Sequence, residues 1–207
     1  MRYYFLSFFL FITTLVNAQT TTTIATVYKE FRPATIHLTD GRKLKVSLAN
    51  VFLKNSSLLY LSGNDTKEAN MKTLTQVDFP DRTYYTVDTL LAYQVDTVGH
   101  DALLCAQKID FASWRQQIVN NSNITHVDFG DLLSYSTVEL TGEREEPIPV
   151  ISLYFFRLNG KYVLVHERTL KLALNKEKRR MMQSIISEDG FSWTDEKRLL
   201  KLLKYIQ

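Results

Sequence analysis

Apolar and polar positions alternate along much of the chain. Ala34-Thr35-Ile36-His37-Leu38-Thr39 and Lys43-Leu44-Lys45-Val46-Ser47-Leu48 each turn one face in and one out, and Asp40-Gly41 between them suits a tight turn. This spacing predicts a β-hairpin. Val51-Phe52-Leu53 and Leu58-Leu59-Tyr60-Leu61, joined by the polar Lys54-Asn55-Ser56-Ser57, predict a second. Four short strands do not stand alone until further strands close their apolar face, so a small barrel or meander is expected.

Farther along, Thr75-Gln76-Val77-Asp78-Phe79-Pro80-Asp81 matches Thr125-His126-Val127-Asp128-Phe129-Gly130-Asp131 fifty residues on, and the strand-like stretches after them match too. Two readings stand: residues 71–88 and 121–139 are two copies of one strand-turn-strand unit, or Val-Asp-Phe is a strand-end pattern that recurs by accident. Asp110 suits a helix cap, with Phe111, Trp114 and Ile118 on one face. Ala102 to Ala106 fits a strand or a buried helical turn equally well. The acidic, proline-containing Glu143 to Pro149 reads as an extended linker. Ile151 to Leu158 and Lys161 to Arg168 flank Asn159-Gly160, the strongest hairpin signal in the chain. Large side chains on both faces of that hairpin predict a central element. Met181, Met182, Ile185 and Ile186 form a helical stripe ended at Gly190, and Thr194 is placed to cap a second helix with the stripe Leu199, Leu200, Leu202, Leu203 and Ile206. The expected class is α+β: antiparallel and β-rich, with a C-terminal helical hairpin packed on the sheet.

The N-terminus reads differently. Behind Met1-Arg2, eleven of the fourteen residues Tyr3 to Val16 are apolar or aromatic, and Val16-Asn17-Ala18 suits signal-peptidase cleavage before Gln19. Residues 1–18 are expected to be a signal peptide, residues 19–146 a β-rich region and 147–207 the hairpin with its two helices in the same globular unit. After cleavage no segment is long enough to span a membrane. The chain has 207 residues and one Cys, so an exported product is held by packing without an internal disulfide. Composition adds a further limit: 45% hydrophobic residues with 7 Gly and 4 Pro exclude a disordered or collagen-like chain.

An export leader ending in Ala-Gln, with the triplets Asp88-Thr89-Leu90 and Asp96-Thr97-Val98, resembles the uncharacterised exported proteins of Bacteroidetes. That resemblance implies a periplasmic, cell-surface or secreted address and O-glycosylation at Thr89 and Thr97. It implies nothing about activity.

Candidate chemistry is sparse. The sequence has no glycine-rich phosphate loop, zinc-binding cysteine pair or nucleophile elbow, and no cofactor or metal is expected. Cys105 is the one thiol, with His37, His100, His126 and His166 as conceivable partners, but its flanks are apolar and favour a buried hydrophobe. Asp78/Asp81 and Asp128/Asp131 have a spacing that suits turn-forming side chains better than a calcium loop. Charge is unevenly placed. Arg168 to Gln207 holds ten Lys or Arg against five Asp or Glu, while residues 19–167 hold fourteen against seventeen. Lys176, Lys178, Arg179 and Arg180 are thus candidates for contact with a surface or partner. The leading expectation is an exported non-enzymatic module with a binding or envelope-structural role, its partner an envelope protein or glycan and not nucleic acid. One alternative is a hydrolase or transferase whose site, from carboxylates or Cys105, assembles only in three dimensions. Another is a membrane-surface protein docked through the basic C-terminal helices.

Overall fold

The computed structural model describes residues 21–22, 25–121 and 147–207. The expected leader, all but the start of the second repeat copy, and residues 143–146 of the expected linker lie outside them. Among the described residues eleven strands form one antiparallel sheet: β1 (Thr21–Thr22), β2 (Arg32–Leu38), β3 (Lys43–Phe52), β4 (Ser57–Ser62), β5 (Asp65–Glu68), β6 (Leu74–Asp78), β7 (Thr83–Val87), β8 (Leu90–Val98), β9 (Asp101–Ile109), β10 (Ile148–Leu158) and β11 (Lys161–Leu164). Their order is β1-β10-β9-β8-β7-β6-β2-β3-β4-β5, with β11 also on β10. The helices among the described residues are α1 (Phe111–Asn121), α2 (Glu167–Ala173), α3 (Lys176–Ile186) and α4 (Glu196–Ile206). The α+β class with a C-terminal helix pair on the sheet is what the chain adopts.

The first two hairpins share a strand. Alternation breaks after Leu48, yet β3 runs on to Phe52, pairing with β2 through its first part and with β4 through Ala49 to Phe52. A register shift opposite Arg32 and Ala34 absorbs the break. Four short strands are therefore three, and Ala49, Asn50, Val51 and Phe52 are all buried while Leu44 and Leu48 stay exposed. The sheet then curls. The Leu91 amide donates to the Ser56 carbonyl (2.7 Å), and the Ile109 amide to the Leu53 carbonyl (2.7 Å), bringing the β3–β4 turn onto β8 and β9. The rolled lobe encloses Ile36, Val51, Leu58, Val77, Tyr84 and Leu91.

Ala102 to Ala106 lies in β9, completely buried. At the next hairpin Asn159 (φ 48°) and Gly160 (φ 78°) are both left-handed, as a two-residue hairpin turn requires. Of its two strands only β10 is central. β11 ends at Leu164, short of the expected Arg168, and leaves Tyr162 and Leu164 exposed. The chain turns there into the unforeseen α2, because the His166 ring accepts from the Arg168 amide and ends the extended run.

Helix α3 starts at Asn175, whose side chain accepts from the Lys178 amide (2.9 Å). It ends at Ser187, so Gly190 (φ 75°) belongs to the following turn and not to the helix cap. Asp195, not Thr194, caps α4, accepting from the Lys197 and Arg198 amides. A carboxylate both caps and neutralises the positive helix end, which a threonine hydroxyl does not. Leu199, Leu202, Leu203 and Ile206 are buried beside Met182, Ile185, Leu103 and Phe156, each burial worth roughly 1.5–3 kcal/mol. Met181, expected in the stripe, is exposed.

Candidate functional site

Register lines up an unusual row. Val77, Tyr84, Tyr93, Cys105 and Tyr154 are direct cross-strand partners on β6 to β10. Facing residues on adjacent strands sit close enough for their side chains to touch. Phe79 meets Tyr84 edge-on at 5.6 Å, and Tyr84 meets Tyr93 at 6.0 Å. The row passes from the rolled lobe to the core beneath α3 and α4.

Its inner end is dry. Cys105 is fully buried, and burial pushes its thiol up; Tyr93, Ser152 and Tyr154 face it and pull the other way, while Glu196 nearby adds to the rise. Burial likewise raises the phenols of Tyr93 and Tyr154. The Tyr154 hydroxyl donates to Glu196 Oε1 at 3.3 Å. A thiol held protonated is a poor nucleophile.

The outer end is charged. Tyr28, in the segment leading to β2, lies 4.9 Å from Phe79, and its hydroxyl donates to Asp81 Oδ1 at 3.1 Å. Arg32 sets its guanidinium 4.5 Å over the Tyr28 ring and reaches the same Asp81 oxygen at 3.1 Å. Arg82 lies 4.7 Å over Tyr93, with Nε 3.5 Å from Asp81 Oδ2. The Tyr84 hydroxyl is buried beside Tyr28 and Arg82, and among the described residues no group meets it at full hydrogen-bond geometry. Burial and the neighbouring Tyr28 raise its pKa, against the pull of Arg82.

A buried hydroxyl without a partner costs about 1–3 kcal/mol. Two guanidinium forks also carry far more N–H donors than one carboxylate has lone pairs. The rim therefore presents unspent donors at the surface. Shallow depressions flank Pro33 on either side. One, of about 520 Å³, is lined by Val27 to Pro33; the other, of about 360 Å³, by Pro33, Lys45, Asp78, Phe79 and Pro80 among others.

The residues singled out in sequence are scattered. His37 Nε2 lies 2.6 Å from Asp78 Oδ2, and Asp78 also accepts from Gln76 (2.7 Å) and Thr83 (3.0 Å). His166 stacks on Trp193 at 6.5 Å, and His100 is exposed in the β8–β9 turn. The groups that face Cys105 are the tyrosines, Ser152 and Glu196. His126, Asp128 and Asp131 lie outside the described residues. Among the described residues no three His, Cys, Asp or Glu are placed to hold a metal ion. Thr89 and Thr97 are exposed, Thr89 in the β7–β8 turn beside Asp88 (φ 54°).

Of the basic four, Arg179 donates through Nε to the Leu174 carbonyl (2.7 Å), closing the end of α2. Lys178 lines a groove of about 460 Å³ with Lys161, Asp101 and Asn159, while Lys176 and Arg180 are exposed.

The rim itself escapes sequence reasoning, apart from Asp81. Tyr28, Arg32, Arg82 and Tyr93 come from four stretches with no common spacing, and only the sheet register joins them. The one local signal is the repeated Val-Asp-Phe motif, which carries Phe79 and Asp81 in its turn. No family model matches the chain, and no curated protein or solved structure is significantly similar to it.

Proposed function

We propose that the chain is an exported, non-enzymatic binding module and that the rim of Tyr28, Arg32, Asp81, Arg82 and Tyr84 is its contact surface. The observation that carries this is the pair of guanidiniums, Arg32 stacked on Tyr28 and Arg82 on Tyr93, which share the single carboxylate of Asp81 at the surface. Polar groups buried at a cost to folding gather where a ligand completes them. Stacking on tyrosine also fixes the two guanidinium planes before anything binds, which lowers the ordering cost of recognition. The leader pattern and the Bacteroidetes resemblance support the exported, periplasmic or cell-surface address, and the surface hydroxyls of Thr89 and Thr97 suit glycosylation there.

Titration of isotope-labelled protein, followed by amide NMR, tests the reading with neutral and carboxylated oligosaccharides, an acidic peptide and inorganic phosphate. At least one is expected to shift the amides of residues 28–33 and 79–84. If no member of the panel moves them, the rim is not a contact surface. The competing hydrolase or transferase reading, where it uses Cys105 and not carboxylates, must reach a thiol buried behind Tyr93 and Tyr154.

One observation favours a second reading, docking on an anionic membrane surface. Leu172 is 77% exposed at the end of α2, close in sequence to Lys176, Arg180 and the exposed Met181. No helix among the described residues is long and apolar enough to cross a membrane. Flotation with anionic vesicles, lost on Leu172→Ser, is the expected sign of docking; protein left in the bottom fraction removes it.

A further inference from the structure

Resting on the rim as a contact surface, we infer that its ligand is a carboxylate-bearing saccharide. The carboxylate sits between Arg32 and Arg82, and the sugar ring lies against Pro33. Charge argues first. The guanidiniums suit a single planar carboxylate, which each can grip with two parallel N–H donors. Asp81 already occupies part of that position, 3.1 Å from Arg32 Nη1 and 3.5 Å from Arg82 Nε. It stands as an internal substitute that a ligand carboxylate displaces or shares.

The same carboxylates decide the class of ligand. Asp81 lies between Arg32, which lines one depression, and Arg82, and Asp78 lines the other depression with Lys45. A uniformly acidic chain, with a charge at every unit and few donors, meets repulsion from both. A uronate unit brings one carboxylate and several hydroxyls, which donate to Asp81 while the carboxylate takes the arginines.

Shape agrees. The depressions are shallow and open, and Pro33 between them offers a flat apolar edge, with Phe79 and Pro80 on one side and Phe31 on the other. Small, deep, mostly apolar cavities suit drug-like ligands; this surface suits hydrated rings laid side by side. Two depressions with one divider place two neighbouring units of an oligosaccharide.

The test is calorimetric titration of the intact protein with trigalacturonate, with the neutral galactose trimer, a tetraglutamate peptide and inorganic phosphate as comparison arms. Trigalacturonate is expected to bind, and the neutral trimer at least roughly tenfold more weakly, since a charged hydrogen-bonded pair is worth that factor or more. Arg82→Ala is expected to weaken trigalacturonate roughly tenfold or more, and Arg82→Lys to restore only part of the loss because the fork is gone.

Equal affinity for the neutral trimer, or trigalacturonate binding unchanged in both Arg32→Ala and Arg82→Ala, overturns the inference. Tighter, arginine-dependent binding of the peptide or of phosphate also overturns the saccharide class, yet leaves the rim as a contact surface. Silence from every arm removes both.

Discussion

One row of side chains has two very different ends. Under α3 and α4, Cys105 and Tyr154 lie in a core whose neighbours are leucines, isoleucines and Phe156, and every polar atom there is shielded or paired. One and two strands from Cys105, Tyr93 and Tyr84 meet Arg82 and the surface, where a buried hydroxyl lacks a well-formed hydrogen bond and two cations share one carboxylate. The strands, the register and even the residue type are common to both ends. What differs is the cover: two amphipathic helices over one, a short turn and the segment before β2 over the other. Stability is concentrated where the cover is apolar, and recognition is possible where it is incomplete.

Breaking the covered end has the largest effect. Phe156→Ala, at a fully buried position, is expected to cost about 3–5 kcal/mol in urea denaturation. A loss below about 1 kcal/mol says the helices do not anchor there. Cys105→Ala removes a smaller buried group and is expected to cost about 1–2 kcal/mol. In the native protein a disulfide reagent is expected to leave this thiol untouched until denaturant is added; prompt labelling means that the inner end opens.

On the sheet's other face, Asp78 gives a pH-dependent contrast. Burial raises its carboxyl, but hydrogen bonds from Gln76, His37 and Thr83 outweigh that and hold it below its ordinary value. A depressed carboxylate contributes stability above its unfolded value and loses it as pH falls through the folded one. Wild type is therefore expected to lose stability more steeply in acid than Asp78→Asn, by a modest amount because the group is partly exposed. Parallel acid limbs in the two proteins contradict this. The smallest effect belongs to the rim of the helical end: Lys201→Ala breaks an exposed pair with Glu188 and is expected to cost about 0–1 kcal/mol.

Much of the fold was legible in the sequence, for identifiable reasons. The turns at Asp40-Gly41 and Asn159-Gly160 carry residues that tolerate positive φ, and alternation on either side marked their strands. The stripe of α4 marked its buried face, residue for residue at Leu199, Leu202, Leu203 and Ile206. Other features depend on information that is not local. β3 remains a single strand because β2 and β4 hold its two halves, and no pattern within Lys43–Phe52 shows this. Short α2 has one buried residue, Leu170, too few for a visible stripe. The rim is less legible still. Arg32 and Arg82 are fifty residues apart, and only the pairing of β6, β7 and β8 brings Asp81 and Arg82 beside Tyr93.

Urea denaturation of Tyr84→Phe beside wild type tests most directly whether the outer end gives up stability for recognition. If the unpaired hydroxyl serves a ligand, the variant is expected to be as stable as wild type or up to about 1 kcal/mol more stable, since a buried unsatisfied group has been removed. A loss of more than about 1 kcal/mol would show the hydroxyl holding the fold together, and the contrast between the two ends would collapse.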